Sequence, residues 1–157
     1  MVLHVGILST AKIARKNILA MQHEASAKVV EAVCVGSRDA ERARKFAEET
    51  GVLESYGSYD QVLASPAVDA VYVPLPTALH AEWVAKAAAA GKHVLCEKPV
   101  ARTTAELVLM LQALAVRDLV FMDGLFARSV CPFPCVCARV CVHVRFCPSV
   151  RLAWLSM

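Results

Sequence analysis

What most constrains the fold of this chain is a repeated change of hydrophobic period. From Val2 to Leu114 short β-branched runs alternate with longer stretches whose apolar residues recur at helical spacing, with turn residues between them. A short apolar run suits a buried strand, and a 3.6-residue period suits a helix with one apolar stripe, so the pattern specifies strands and helices in turn. Strand–helix–strand repeats of this kind build a parallel sheet covered by helices. The expected class is therefore α/β, a doubly wound parallel sheet.

The run Val2 to Leu8 reads as the first strand, and Ala11 to Met21 follows as a helix with Ile13, Ile18 and Met21 spaced for burial. Val29 to Val35 is a second strand, leading through Gly36-Ser37-Arg38 into a charged helix over about Asp39 to Thr50 that Gly51 can end in a left-handed cap. Ser58 with Gln61 forms a capping box for a short helix, and Val68 to Val73 is a buried strand ending at Pro74. A helix from about Thr77 to Ala90 precedes Gly91 and the strand Lys92 to Cys96, whose carboxyl end delivers Glu97-Lys98-Pro99. Thr103 with Glu106 boxes the next helix, which runs to about Val116, and Asp118 to Met122 supplies one more strand.

Length and charge set the boundaries. A chain of 157 residues holds one ordinary domain and has no room for two substantial ones. Residues 1–124 carry 13 Lys+Arg against 14 Asp+Glu, whereas residues 125–157 carry four Arg, no acid and five of the seven cysteines. That second stretch draws on only eleven amino-acid types, which is not the composition of a folded surface. Residues 1–124 are expected to form the domain and 125–157 an irregular Cys/Arg/Val-rich tail, the product of a retained intron, a frameshift or a gene-model error.

The tail has two rival readings. Cys131, Cys135, Cys137, Cys141 and Cys147, with His143 among them, could bind a metal, but their spacing lacks the C-x2-C knuckles of structural zinc sites, so no metal is expected. Four scattered arginines without lysines are weak support for phosphate tracking, so no nucleic-acid partner is expected. The chain opens with no signal-peptide pattern and contains no uninterrupted apolar stretch of membrane-spanning length. A cytoplasmic protein without a membrane partner is the expectation.

Chemistry concentrates at the strand ends. A strand that runs through a tight turn into a helix presents free N–H groups and a positive dipole end to an anion, which is how a dinucleotide pyrophosphate is held. Gly6-Ile7-Leu8-Ser9-Thr10-Ala11 occupies that place as a degenerate G-x-G-x-x-G, with Leu8 and Ala11 at the second and third glycine positions. An ordinary βα turn remains the alternative. After the second strand an NAD site would offer an acid to the ribose 2′-hydroxyl, but here stand Ser37 and Arg38, with Arg42 one turn on. These groups suit a 2′-phosphate, favouring NADP while leaving NAD possible, and the alternative is a solvated helix face paired with Asp39 and Glu41.

Ligands of an open α/β sheet bind beyond the carboxyl ends of its strands, so Ser9, Thr10, Pro74, Thr77, His80 and Lys98 should converge. Lys98 could bond a substrate hydroxyl and favour its deprotonation, or be solvated surface. His80 could face the cofactor, cap or pack.

Gly6 to Ala14, Ser37-Arg38-Asp39, Pro74 to Trp83 and Gly91 to Pro99 together resemble the Gfo/Idh/MocA oxidoreductases, in particular the branch of dihydrodiol dehydrogenase and NADP-dependent D-xylose dehydrogenase. The resemblance runs to about Gly124. It implies a Rossmann domain followed by a C-terminal α+β open-sheet domain, which lines the substrate pocket and builds the oligomer; 157 residues leave no room for the second, so the expected fold is the Rossmann domain without it. By position it implies that Lys98 is the catalytic-site lysine, that Glu97 touches the nicotinamide ribose, and that the segment from Pro74 through Leu75 and Thr77 to His80 flanks the nicotinamide. Residues 6–11 would cradle the pyrophosphate.

The implied activity is NAD(P)-dependent hydride transfer between a sugar or diol hydroxyl and nicotinamide, with the dinucleotide and the sugar or diol as partners. The alternative is a catalytically inactive dinucleotide-binding fragment or the product of an aberrant transcript.

Overall fold

The computed structural model of the chain describes residues 2–24 and 26–124; the tail expected from residue 125 onward lies outside them. The elements in chain order are β1 (Leu3–Leu8), α1 (Lys12–Met21), β2 (Val30–Gly36), α2 (Ala40–Thr50), β3 (Glu54–Tyr56), α3 (Tyr59–Ala64), β4 (Ala70–Val73), α4 (Thr77–Ala89), β5 (His93–Cys96), α5 (Thr104–Ala115) and β6 (Phe121–Asp123). All pairings are parallel, and the strands lie in the order β3-β2-β1-β4-β5-β6. The chain thus winds outward from β1 in one direction, returns to the centre, and winds outward again from β4, the doubly wound Rossmann order.

Period-two alternation divides the core between the two faces of the sheet. Val5 and Ile7 of β1 and Ala70 and Tyr72 of β4 pack with Ile18 of α1 and Phe46 of α2. Leu8, Val71 and Val73 point the other way, to Val62 of α3, Trp83 and Val84 of α4 and Met110 and Leu114 of α5. Strands covered on both faces must be apolar at every position, which is why β4 reads Ala-Val-Tyr-Val. Ile7, Leu8 and Ile18 are wholly buried, each removal from water contributing about 1.5–3 kcal/mol.

Two glycines admit α3 to the sheet. A Cβ on Gly6 would stand 2.6 Å from Val62 Cγ1, and one on Gly36 would stand 2.6 Å from Val62 Cγ2 and 3.0 Å from the Ser58 carbonyl. Val62 therefore fills a notch that two adjacent strands leave open, and α3 lies closer to the sheet than any side chain at those positions would permit.

Helix ends follow the expected chemistry. Asp39 accepts a hydrogen bond from the Arg42 amide at 3.1 Å, Ser58 from Gln61 at 3.2 Å and Thr103 from Glu106 at 3.1 Å. Gly51 ends α2 at φ 70°. The box at α5 is displaced by one residue, because Glu106 Oε2 accepts from the Arg102 amide at 3.0 Å while its carboxylate also pairs with the Arg102 guanidinium. The last strand is displaced too: Asp118, at φ 54°, turns the chain out of α5, and pairing with β5 runs from Phe121 to Asp123.

Candidate functional site

The carboxyl ends of the strands form a level edge. Leu8 pairs with Gly36, Ile7 with Tyr72, Tyr72 with Leu95, Val73 with Cys96 and Cys96 with Asp123. The segments that leave this edge, beginning at Ser9, Ser37, Pro74 and Glu97, therefore start side by side. From β2 to β5 is three strand spacings, about 14 Å, a distance along which an extended ligand can be held.

At the centre of the edge, α1 begins without a side-chain cap. Ala11 is its N-cap residue in extended conformation, no side chain bonds the first-turn amides, and no acid lies in the first turn. Ser9, which precedes it, has φ 150°, a conformation that favours glycine, and its hydroxyl accepts from the Ala11 amide at 3.0 Å. The strain falls on Ser9 because Leu8 is still in ladder register with Gly36. This corrects the expected register of the turn: the glycine-like position is Ser9, not Leu8. Leu8 is instead a wholly buried core residue, and Gly6 serves the packing of Val62. Ser9, Thr10 and Ala11 are half-buried at the turn itself.

Across the switch point, α4 also starts uncapped, at Pro76. Pro74 and Leu75 are buried, and Thr77 opens the helix half-buried. His80 is buried, with Nδ1 2.9 Å from the Val100 carbonyl and Nε2 2.7 Å from the Leu75 carbonyl. Neither ring nitrogen is left for a ligand, so of its expected uses packing is the one realised. The histidine ties the segment after β4 to the segment after β5.

Beyond β2, Ser37 is buried, donating its amide to the Tyr56 carbonyl at 3.0 Å, while its hydroxyl accepts from the Asp39 amide at 3.3 Å. Arg38 and Arg42 are exposed. Glu41, the expected partner of these arginines, pairs instead with Arg44, which also holds Glu48. None of the salt bridges among the described residues involves Arg38 or Arg42.

At the end of β5, Glu97 is buried and Lys98 exposed, and the Lys98–Pro99 peptide bond is cis. Glu97 Oε1 accepts from the Tyr72 hydroxyl at 2.6 Å, and Oε2 accepts from the Lys98 amide at 3.2 Å. Burial above all, and then the bond to Glu97, hold the Tyr72 hydroxyl well above the usual phenol range, so it remains a donor. Asn17 of α1 donates to the same hydroxyl at 2.6 Å. Sequence reasoning missed both Tyr72 and Asn17. The available signal was a phenol in a strand otherwise made of Ala and Val, since a buried tyrosine hydroxyl requires a partner.

The thiols take no part in this chemistry: burial pushes Cys34 and Cys96 up to about 12. Among the described residues no group of three His, Cys, Asp or Glu side chains could hold a metal ion, and no helix is long and apolar enough to cross a membrane.

The arrangement has relatives. An oxidoreductase of Rhizobium meliloti is 50% identical over 102 residues, covering 65% of this chain and 30% of its own. The D-xylose 1-dehydrogenase (NADP(+)) 2 of Haloferax volcanii is 47% identical over 105 residues, covering 64% and 30%. A 3-ketoreductase from Actinomadura kijaniata, solved in complex with NADP, superposes with a TM-score of 0.73 at 36% identity, over 78% of this chain and 38% of that one. The chain thus spans about a third of the length of these relatives. The model of the Gfo/Idh/MocA oxidoreductase family, with its NAD-binding Rossmann fold, matches residues 3–125, and the chain belongs to that family.

Proposed function

We propose that this chain supplies the dinucleotide-binding half of an NADP-dependent oxidoreductase that moves hydride between a sugar or diol hydroxyl and nicotinamide. The observation that carries the choice of NADP is the end of β2. Its nearest acid, Asp39, is committed to capping α2, while Ser37, Arg38 and Arg42 stand at the same place with both guanidinium groups outside any salt bridge among the described residues. A 2′-phosphate needs such donors, and a free 2′-hydroxyl would prefer a free carboxylate.

The other residues fit the remainder of the ligand. The uncapped start of α1 offers amide donors and a positive dipole end to the pyrophosphate, with Ser9, Thr10 and Ala11 forming the turn beneath it. Pro74, Leu75 and Thr77 would flank the nicotinamide, and Glu97 would accept from its ribose. The bound dinucleotide supplies the hydride donor or acceptor. Lys98 carries an exposed ammonium at the same edge, where it would bond the reacting oxygen of the substrate and favour loss of its proton. D-xylose is the named substrate of one relative, and a sugar or diol is the substrate class proposed here.

Titration of the 157-residue chain with NADPH and NADH, followed by nicotinamide fluorescence at one fixed salt concentration, tests the reading. NADPH should bind more tightly, and Arg38→Ala should weaken NADPH by about tenfold or more while leaving NADH unchanged. Equal affinities unaffected by Arg38→Ala would remove the phosphate assignment. Binding without turnover of any aldose or trans-dihydrodiol would favour a dinucleotide-binding module without activity of its own.

A further inference from the structure

The polar contacts of Tyr72 point in one direction. The Asn17 side-chain amide donates to the phenol oxygen, so the single phenol proton goes to Glu97 Oε1. The other carboxylate oxygen takes the Lys98 amide. On a third side stands Gly124, whose amide donates to the Cys96 carbonyl at 2.8 Å and whose absent Cβ would lie 3.3 Å from the carboxylate carbon and both its oxygens. The carboxylate is therefore bonded from β4 and from its own chain, with Gly124 leaving room beside it, and the phenol is the only side chain among the described residues shown bonding to it.

We propose that Tyr72 is a positioning residue: through the chain Asn17–Tyr72–Glu97 it fixes the carboxylate that receives the nicotinamide ribose, and with it the backbone that presents Lys98. The inference rests on the dinucleotide reading above. A carboxylate has about four lone-pair directions; the phenol and the Lys98 amide occupy one on each oxygen, which leaves acceptor capacity that a ligand with adjacent hydroxyls would use. Without the phenol, Glu97 would be free to rotate, and binding would have to order it again.

Tyr72→Phe removes one oxygen and keeps the ring in its wholly buried place. Affinities of the full chain for NADPH and for 2′,5′-ADP separate positioning from general damage, because 2′,5′-ADP lacks the nicotinamide half. Tyr72→Phe should weaken NADPH about tenfold and leave 2′,5′-ADP within about twofold. Asn17→Ala, a half-buried helix position, should shift the two ligands in the same sense by a smaller factor and guards against a folding defect in the first variant. In a Glu97→Ala background Tyr72→Phe should have no further effect on NADPH. Equal losses for both ligands, or fully additive effects of Tyr72→Phe and Glu97→Ala, would overturn the positioning role. Failure of the parent chain to bind either ligand would instead overturn the dinucleotide reading, and this inference with it.

Discussion

The helix starts of this domain are of two kinds. Those of α2, α3 and α5 carry Asp39, Ser58 and Thr103, each accepting a hydrogen bond from an amide of the first turn. Those of α1 and α4 begin at Ala11 and Pro76, with no side-chain cap. A cap satisfies donors that would otherwise be exposed and is worth about 1 kcal/mol. The two starts without this contribution are not scattered: they follow β1 and β4, the neighbouring central strands from which the chain winds in opposite directions. Local stability is thus given up at the switch point, where the proposed dinucleotide would draw on amide donors, and kept at the other helix starts.

The contrast is tested most severely by installing a cap where there is none. Ala11→Asp should supply α1 with a side-chain acceptor and leave the melting temperature of the free chain unchanged or raised. The same carboxylate would stand where the pyrophosphate is proposed to bind and should weaken NADPH by about a hundredfold or more, measured by fluorescence titration. Unchanged NADPH affinity would show that the open helix start is not a ligand site. In the opposite sense, Ser58→Ala and Thr103→Ala should each cost about 1 kcal/mol in chemical denaturation and leave NADPH affinity unaltered.

A smaller effect concerns the outer strands. His93 accepts from the Val120 amide at 3.0 Å and so ties the chain entering β6 to β5. Burial, partly opposed by Asp69 and Asp118, lowers its pKa below the usual 6.5. A folded-state value below the unfolded one means that the unfolded chain binds the proton more readily. Stability should therefore be complete above about pH 6.5 and decline as the pH falls below it. Denaturation midpoints at a series of pH values should show this slope, and His93→Gln should flatten it.

Much of this was legible in the sequence. Ser58, Thr103 and Gly51 marked helix ends because caps are local chemistry, decided by residues three or four positions apart. The edge strand β3 was missed because Glu54-Ser55-Tyr56 is short and lies at the rim of the sheet, exposed enough to need no apolar run. The role of His80 stayed open in the sequence, and Tyr72 was overlooked, for a common reason. Their partners, Leu75 and Val100 for one and Asn17 and Glu97 for the other, come from separate elements brought together only by the sheet order. The same holds for the turn after β1, where ladder register and not motif spacing decides that Ser9 takes the glycine-like conformation.

The notch occupied by Val62 links three positions that are far apart in the chain. A methyl group gained at Gly6 meets Val62 Cγ1 and one gained at Gly36 meets Val62 Cγ2, so either gain requires the facing valine methyl to be given up, and at Gly36 the Ser58 carbonyl to give way as well. In a lineage these sites would be inherited as a unit, changing together or not at all. A substitution harmless in one descendant could then be ruinous when transplanted alone into another.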